Sequence, residues 1–314
     1  MRYFLLMAIF LFPLALSAAT PKVVASHYPL GILAQGALGV PAQILIPAGV
    51  DAHDYEPSPQ VIKALYQADV ILYHGESMEP WIEKLAPELE EKGKILLELD
   101  ALLAPDSPTP GKTAVPEPET ELHKGHDAHH HGGLDPHFWL DPSAMAKASQ
   151  RIRHRLESTG KFLEFSNADS SKPQPNPWEQ QLNSLDQEFQ RGLRSCSSRL
   201  LVSEHEAFGW LARRYGLTHR GIRGMSSHSV PGAKSLAGEI KALQAEGAKA
   251  IFTELGSRPK YALMLSQETG LPLVDLQPLH NPGSQETQGG KDYFYWMRYN
   301  LSKLQKGLQC QSSK

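Results

Sequence analysis

Three histidines occupy positions at which side chains of an α/β protein often bind ions. His53 follows a short apolar run that ends near Ile46, and His205 follows the run that ends near Ser203. Ligands of open parallel sheets bind outside the carboxyl ends of the strands, so both histidines face such an edge if the runs are strands. His137 stands between the two Asp-Pro pairs of LDPHFWLDP. These pairs predict a tight turn before it and a helix start after it.

Three neutral imidazoles and one further donor make a tetrahedral site suited to zinc. Since the three histidines come from both halves of the chain, they can meet only in a cleft between two domains. Each histidine alone is more simply explained as a hydrogen-bonded core or surface residue. Together, each beside residues that favour turns, they indicate a metal site, and imidazole ligands favour zinc over manganese, which prefers oxygen.

A second group of histidines lies in a stretch, 105–133, that is rich in Pro, Gly, Glu and His and has no apolar periodicity. This composition predicts a long surface loop. We expect it to bind zinc weakly; the alternative is a solvated linker. Five histidines fall within nine residues of it, at His123, His126, His129, His130 and His131. Two others, His154 and His219, are expected at the surface.

Short apolar runs alternate with helical segments along both halves of the chain. This pattern predicts parallel sheets covered by helices on both faces. The expected architecture is two α/β lobes: an N-terminal lobe over 20–157, a helical linker over 158–194 and a C-terminal lobe over 195–314. The runs interpreted as strands are 22–26, 43–46, 70–73, 94–97, 199–203, 218–222, 249–253 and 272–276. Helices are expected over 79–92, over 206–215 and after Asp141, the last with Met145, Ala148, Ile152 and Leu156 on its buried face.

The first residues predict export from the cytoplasm. Arg2 precedes an apolar run over 4–16, and Ser17-Ala18-Ala19 offers small residues for cleavage, so 1–19 is interpreted as a signal peptide. The run is shorter than the roughly 20 residues that a membrane-spanning helix needs. No Cys follows it, so we expect no lipid anchor. The expected location is the periplasm.

Composition restricts the partners and the redox state. The chain carries 31 Lys and Arg against 34 Asp and Glu, a net charge of −3, without a long basic run. We therefore expect no nucleic acid as the main partner. The two cysteines, Cys196 and Cys310, form either one disulfide, which an oxidising compartment favours, or two buried thiols.

The segments around these histidines resemble the periplasmic zinc-binding components of ABC importers, the ZnuA-like branch of the metal-receptor family. The resemblance runs from about Val23 to Leu308. It includes HDYEPSP around His53, the His-rich insertion, DPHFWLDP around His137, HEAFGWLARRYGL around His205 and the closing YFYWMRYNLSKL. The DPHFWLDP segment together with the insertion before it is specific, whereas HEAF alone is weak.

The resemblance implies that His53, His137 and His205 are metal ligands. It also implies two lobes joined by a long helix, with limited closure, and delivery of Zn²⁺ as the transported ligand to an ABC permease in the inner membrane. A monomer is expected. The protein is then a receptor, not an enzyme.

The sequence departs from the family pattern where relatives often carry Asp-Pro-Leu-Gly after the last strand. This chain has Gln277-Pro278-Leu279-His280 there, so an amide replaces the usual carboxylate. The fourth metal donor is therefore open. Water is the preferred candidate, and the others are Gln277, His280, His27, Asp275 and Glu254.

Three other functions remain as alternatives. A manganese or iron receptor is the nearest, although no Asp stands in the expected position. A passive zinc buffer or chaperone is suggested by the His-rich loop. A zinc hydrolase would need a general base beside a bound water, for which Glu204 or Glu206 could serve, but the chain has no HExxH motif.

Overall fold

The computed structural model describes residues 21–50, 52, 55–76, 78–104, 135–160, 176–222, 233–257, 259–280, 282–283 and 289–311. The signal-peptide prediction and the predicted His-rich loop lie outside these residues. Within them, no helix is both long and apolar enough to cross a membrane.

The first half of the chain builds a parallel four-stranded sheet in the order β2-β1-β3-β4. Its strands are β1 (Val23–Ala25), β2 (Gln43–Ile44), β3 (Val70–Tyr73) and β4 (Ile95–Glu98). The helices that accompany them are α1 (Tyr28–Leu38), α2 (Pro59–Gln67), α3 (Pro80–Glu83), α4 (Ala86–Glu91) and α5 (Leu99–Leu103). β1 and β3 are buried throughout, as strands covered on both faces must be.

The second half repeats the same strand order, β6-β5-β7-β8, again with every pair parallel. Helices α6 (Pro142–Ser158) and α7 (Pro177–Gly192) precede this sheet. Along the chain, the elements that follow are β5 (Leu200–Ser203), α8 (Gly209–Arg214), β6 (Thr218–Gly221), α9 (Ala233–Ala245), β7 (Ile251–Glu254), α10 (Lys260–Thr269), β8 (Leu273–Leu276) and α11 (Tyr293–Gly307). Two parallel sheets flanked by helices confirm the predicted fold class.

Local sequence explains where α6 begins. The Asp141 carboxylate accepts hydrogen bonds from the backbone N–H groups of Ser143 and Ala144, at 2.8 and 3.2 Å, and Pro142 occupies the first turn. These contacts satisfy donors that a helix start leaves without a partner. The predicted apolar face of α6 is fully buried at Met145, Ala148, Ile152 and Leu156.

Two helices differ from their predicted lengths. The single helix expected over 79–92 is two short helices, α3 and α4. Pro87 causes this break because it has no backbone N–H to donate, and its ring clashes with the carbonyl four residues earlier. The helix expected from Glu206 begins only at Gly209, since the chain first makes a turn in which the Ala207 N–H donates to the His205 carbonyl at 3.0 Å.

One continuous apolar core joins the two halves. It contains residues of β1, β3, α1 and α6 from the first half, of α7, and of β5, β7, α8 and α11 from the second. Two smaller clusters cover the outer faces of the two sheets. A disulfide joins Cys196, just before β5, to Cys310, just after α11.

The contact between α1 and α7 predicts a stability effect. A Cβ added at Gly36 would lie 2.2 Å from the ring of Trp178, so Gly36→Ala must displace that ring. We expect the free energy of unfolding to fall by about 1–3 kcal/mol, the usual cost of overpacking. Urea denaturation measures it.

The matched control is Gly238→Ala in α9, where an added Cβ meets nothing within 4 Å. Alanine there should leave the stability unchanged or raise it by up to about 1 kcal/mol, because it favours the helix. Equal urea midpoints for the two variants would contradict the close α1–α7 contact.

Candidate metal site

Three histidines lie together between the two sheets: His137, His205 and His280. Each ring offers one nitrogen, and these nitrogens all lie within 4.8 Å of one another. The ring centroids are 4.9 Å apart for His137 and His280, 5.1 Å for His205 and His280, and 5.6 Å for His137 and His205. Nitrogens bound to one tetrahedral zinc ion are about 3.4 Å apart, so small side-chain rotations bring this group to binding geometry.

His205 is held at the carboxyl end of β5 by a buried hydroxyl. Ser203 donates its O–H to the His205 carbonyl at 2.6 Å, so its oxygen accepts from Nε2 of His219 at 2.7 Å. Burial lowers the pKa of His219 to about 4, which keeps that ring neutral. The prediction of a surface position for His219 is wrong, since the residue is 4% exposed; His154 is exposed as predicted.

The chain that carries His137 is anchored by two indoles. A short 3₁₀ helix over 138–140 follows it, and the Trp139 N–H donates to the carbonyl of Pro278 at 2.8 Å. The Trp210 N–H donates to the carbonyl of Asp135 at 2.7 Å. Both bonds run from one half of the chain to the other, so they fix this segment across the lobe interface.

His280 reaches the cluster through a turn after β8. The Gln277 side-chain oxygen accepts from the Leu279 N–H at 3.1 Å, and Leu279 has a positive φ of 60°. Asn300 of α11 accepts from the Gln277 N–H at 2.8 Å and donates to the Gln277 carbonyl at 2.7 Å. The amide of Gln277 thus shapes the turn, and His280 is the side chain that meets the other two histidines.

Two carboxylates lie behind the cluster. Asp135 Oδ1 is 2.8 Å from Nδ1 of His137, and Glu254 Oε1 contacts Nδ1 of His205. Burial raises the pKa of Asp135 to about 6. Because each carboxylate contacts Nδ1, Nε2 is the nitrogen of each ring that can bind a metal ion.

His27, a candidate fourth donor, is placed apart from the three clustered rings. Its ring lies 5.0 Å from that of His74, and its Nδ1 is 3.7 Å from a Glu79 carboxylate oxygen, all fully buried. Trp139 contacts this pair, with centroid distances of 5.3 and 5.5 Å, and also contacts His137 and His280. The indole therefore separates two groups of histidines.

Asp275, another candidate, is directed to α11. One of its oxygens accepts from the Tyr299 hydroxyl and the other from Lys303 Nζ at 2.9 Å. His53 and the loop histidines at 123–131 lie outside the described residues.

His205 was selected because it follows the carboxyl end of a strand, and two of the candidate fourth donors, Glu254 and His280, also do so. Glu254 is the last residue of β7, which is adjacent to β5. His280 follows β8, which is adjacent to β7. Strand position could have ranked His280 above water. It could not have shown which group Glu254 contacts.

Fold and site together define a two-lobed α/β protein with a histidine cluster between its parallel sheets. The chain belongs to the ZnuA family, described as the periplasmic component A of the zinc-uptake complex, whose sequence profile matches residues 23–307.

Individual relatives agree with this assignment. The zinc-binding protein AdcA of Streptococcus pyogenes is 29% identical over 287 residues, which cover 90% of this chain and 55% of AdcA. The chain thus spans about half the length of the AdcA proteins it matches.

Several solved structures have the same fold as this chain. A Zn(II)-bound mutant variant of AdcAII of Streptococcus pneumoniae is 27% identical, with a TM-score of 0.73, covering 92% of this chain and 98% of that one. The Zn(II)-bound ZnuA-like domain of Streptococcus pneumoniae AdcA is 26% identical, with a TM-score of 0.70 and coverage of 92% and 99%.

The turn that presents His280 generates a prediction. Asn300 is fully buried, and Asn300→Ala would leave the N–H and carbonyl of Gln277 without these partners. We expect the free energy of unfolding to fall by about 2 kcal/mol or more, the cost of leaving buried polar groups unsatisfied. Urea denaturation measures the change. Asn183→Ala, at an exposed position of α7, is the control and should stay within about 0.5 kcal/mol of the parent.

Proposed function

We propose that the protein captures Zn²⁺ outside the cytoplasm and delivers it to an ABC importer of the inner membrane. The observation that carries this proposal is the group of three imidazoles, His137, His205 and His280, with nitrogens within 4.8 Å of one another. Membership of a zinc-uptake family supports both the ion and the transport role.

The proposed ligands are His137, His205 and His280 together with His53. His53 enters from the sequence alone, by its position in HDYEPSP. His280 takes the fourth position, for which the sequence favoured water, because its ring lies about as close to those of His137 and His205 as they lie to each other. Four imidazoles form a tetrahedral nitrogen shell that suits zinc.

The donor set also supports zinc binding over the alternatives. Manganese prefers oxygen donors, and the clustered side chains offer nitrogen, so a manganese receptor is disfavoured. A hydrolase would need a general base beside a metal-bound water, for which Glu204 and Glu206 are the candidates, but membership of a zinc-uptake family supports binding instead. We therefore propose binding and transport, not catalysis.

The remaining parts of the proposal concern location and organisation. We infer a signal peptide over 1–19 and a periplasmic, monomeric protein. The proposed lobes are 20–157 and 195–314, joined by a helical linker over 158–194, in which α7 contacts α1, α6 and α11. Delivery is tested by zinc uptake into proteoliposomes that contain the cognate importer. Uptake that is independent of this protein would contradict the receptor role.

Replacing single histidines tests the ligand set. We expect His137→Ala, His205→Ala, His280→Ala and His53→Ala each to weaken zinc binding by at least about tenfold, because each removes a nitrogen donor. Competition with a chromophoric chelator measures the affinity. His154→Ala, at an exposed position of α6, should bind as the parent does. Parental affinity in any of the four variants would remove that residue from the site.

Deleting residues 123–131 separates a receptor from a buffer. A receptor keeps one tight zinc ion per chain without this segment, because the ligands of the cleft remain. Isothermal titration gives stoichiometry and affinity together. Loss of the tight phase in the deletion variant would instead support the buffer function.

A further inference from the structure

The two carboxylates behind the clustered histidines carry an inference beyond the ligand set. An ionised carboxylate only accepts hydrogen bonds, so the ring nitrogen that contacts it must carry the proton. Nδ1 of His137 faces Asp135 at 2.8 Å, and Nδ1 of His205 faces Glu254. Both rings are therefore held in the Nδ1–H form, and Nε2 is the nitrogen with the lone pair.

Asp135 is held through its backbone carbonyl as well as through its carboxylate. Its Oδ1 also accepts from the backbone N–H of His137 at 3.0 Å. The Trp210 indole holds its carbonyl from the other lobe. A Cβ at Gly209 would lie 2.4 Å from Oδ2, so only glycine leaves room for this carboxylate. A rigid acceptor of this kind sets the orientation of the imidazole.

Glu254 is placed by the second sheet. It is the last residue of β7 and pairs in register with Leu276, the last residue of β8. Its side chain is 28% exposed, whereas that of His205 is 5% exposed. The carboxylate is therefore more exposed than the ring, and it contacts the Nδ1 edge of His205 rather than the Nε2 edge.

Charge gives these residues a second role. The clustered ligands His137, His205 and His280 are imidazoles, which carry no negative charge when they bind a metal ion. A divalent cation would therefore bring two uncompensated positive charges into the site. Burying charge without compensation is costly. Asp135 and Glu254 supply two negative charges, one ring beyond the ion.

We propose that Asp135 and Glu254 are the positioning residues of the metal site. Each holds one imidazole with Nε2 toward the ion, and each supplies one of the two charges that neutralise it. The proposal rests on the zinc-capture function given above. It also excludes Glu254 as a direct ligand, because its carboxylate acts through His205.

The first test compares Glu254→Gln and Asp135→Asn with the parent by zinc competition titration. Each should bind zinc about 10–100-fold more weakly, the usual effect of removing a partner of a metal-bound histidine. The matched control is Glu188→Gln, which breaks an ion pair with Arg298 on the helical surface and should leave the affinity unchanged. Should Asp135→Asn fail to fold, Glu254→Gln still decides.

The second measurement is the visible absorption of the Co²⁺-loaded proteins, which reports ligand orientation. Both variants should change the d–d bands, whereas a purely structural loss of stability would not. Unchanged bands and parental zinc affinity in Glu254→Gln would overturn the proposal.

The third comparison is the double variant His205→Ala/Glu254→Gln. If Glu254 acts mainly by orienting His205, the double variant should lose less zinc affinity than the sum of the losses in the two single variants, because only the charge of Glu254 remains to be lost. Additive losses would show that Glu254 acts independently of His205 and would overturn the positioning role. Zinc affinity that survives all the single histidine variants would instead overturn the proposed function itself, so the two failures are distinguishable.

Discussion

The site depends on one constraint: the segment 135–139, which carries His137, is anchored between the two lobes. Hydrogen bonds from Trp139 to Pro278, from Trp210 to Asp135 and from the Tyr293 hydroxyl to the Trp139 carbonyl cross the lobe interface. All three are buried, with lengths of 2.7–2.8 Å. Without these bonds, His137 would have no fixed position relative to the strands of the second sheet.

The architecture was predictable because its signals are local. Apolar runs bounded by helical segments gave all eight strands in the described residues, and Asp141-Pro142 gave the start of α6. Prediction was wrong where one residue interrupts a pattern, as Pro87 does between α3 and α4. It was also wrong for His219, whose burial depends on a contact with Ser203 across the sheet.

The candidate site was predictable only in part. Position after a strand selected His205, and the Asp-Pro pairs selected His137, because both signals lie beside the residue itself. The choice of His280 over water depends on the turn made by Gln277 and Asn300, which come from different elements. The role of Glu254 depends on which ring it contacts, and no spacing in the sequence records that.

Under the proposed ligand set, the carboxylates also account for the amide at Gln277, where the family resemblance implies an aspartate. In this site the negative charge lies behind the rings, at Asp135 and Glu254, and the amide of Gln277 is used in the backbone turn. Charge and ligation are thus separated, so the atoms near the ion can all be nitrogen.

The shared apolar core has a consequence for how the loaded and empty forms differ. A single cluster contains residues of both sheets, so swinging the lobes apart would expose the buried faces of α6, α7 and α8 to water. Under the proposed function, loading and unloading would therefore leave this apolar core intact. The two forms should then have nearly the same hydrodynamic radius.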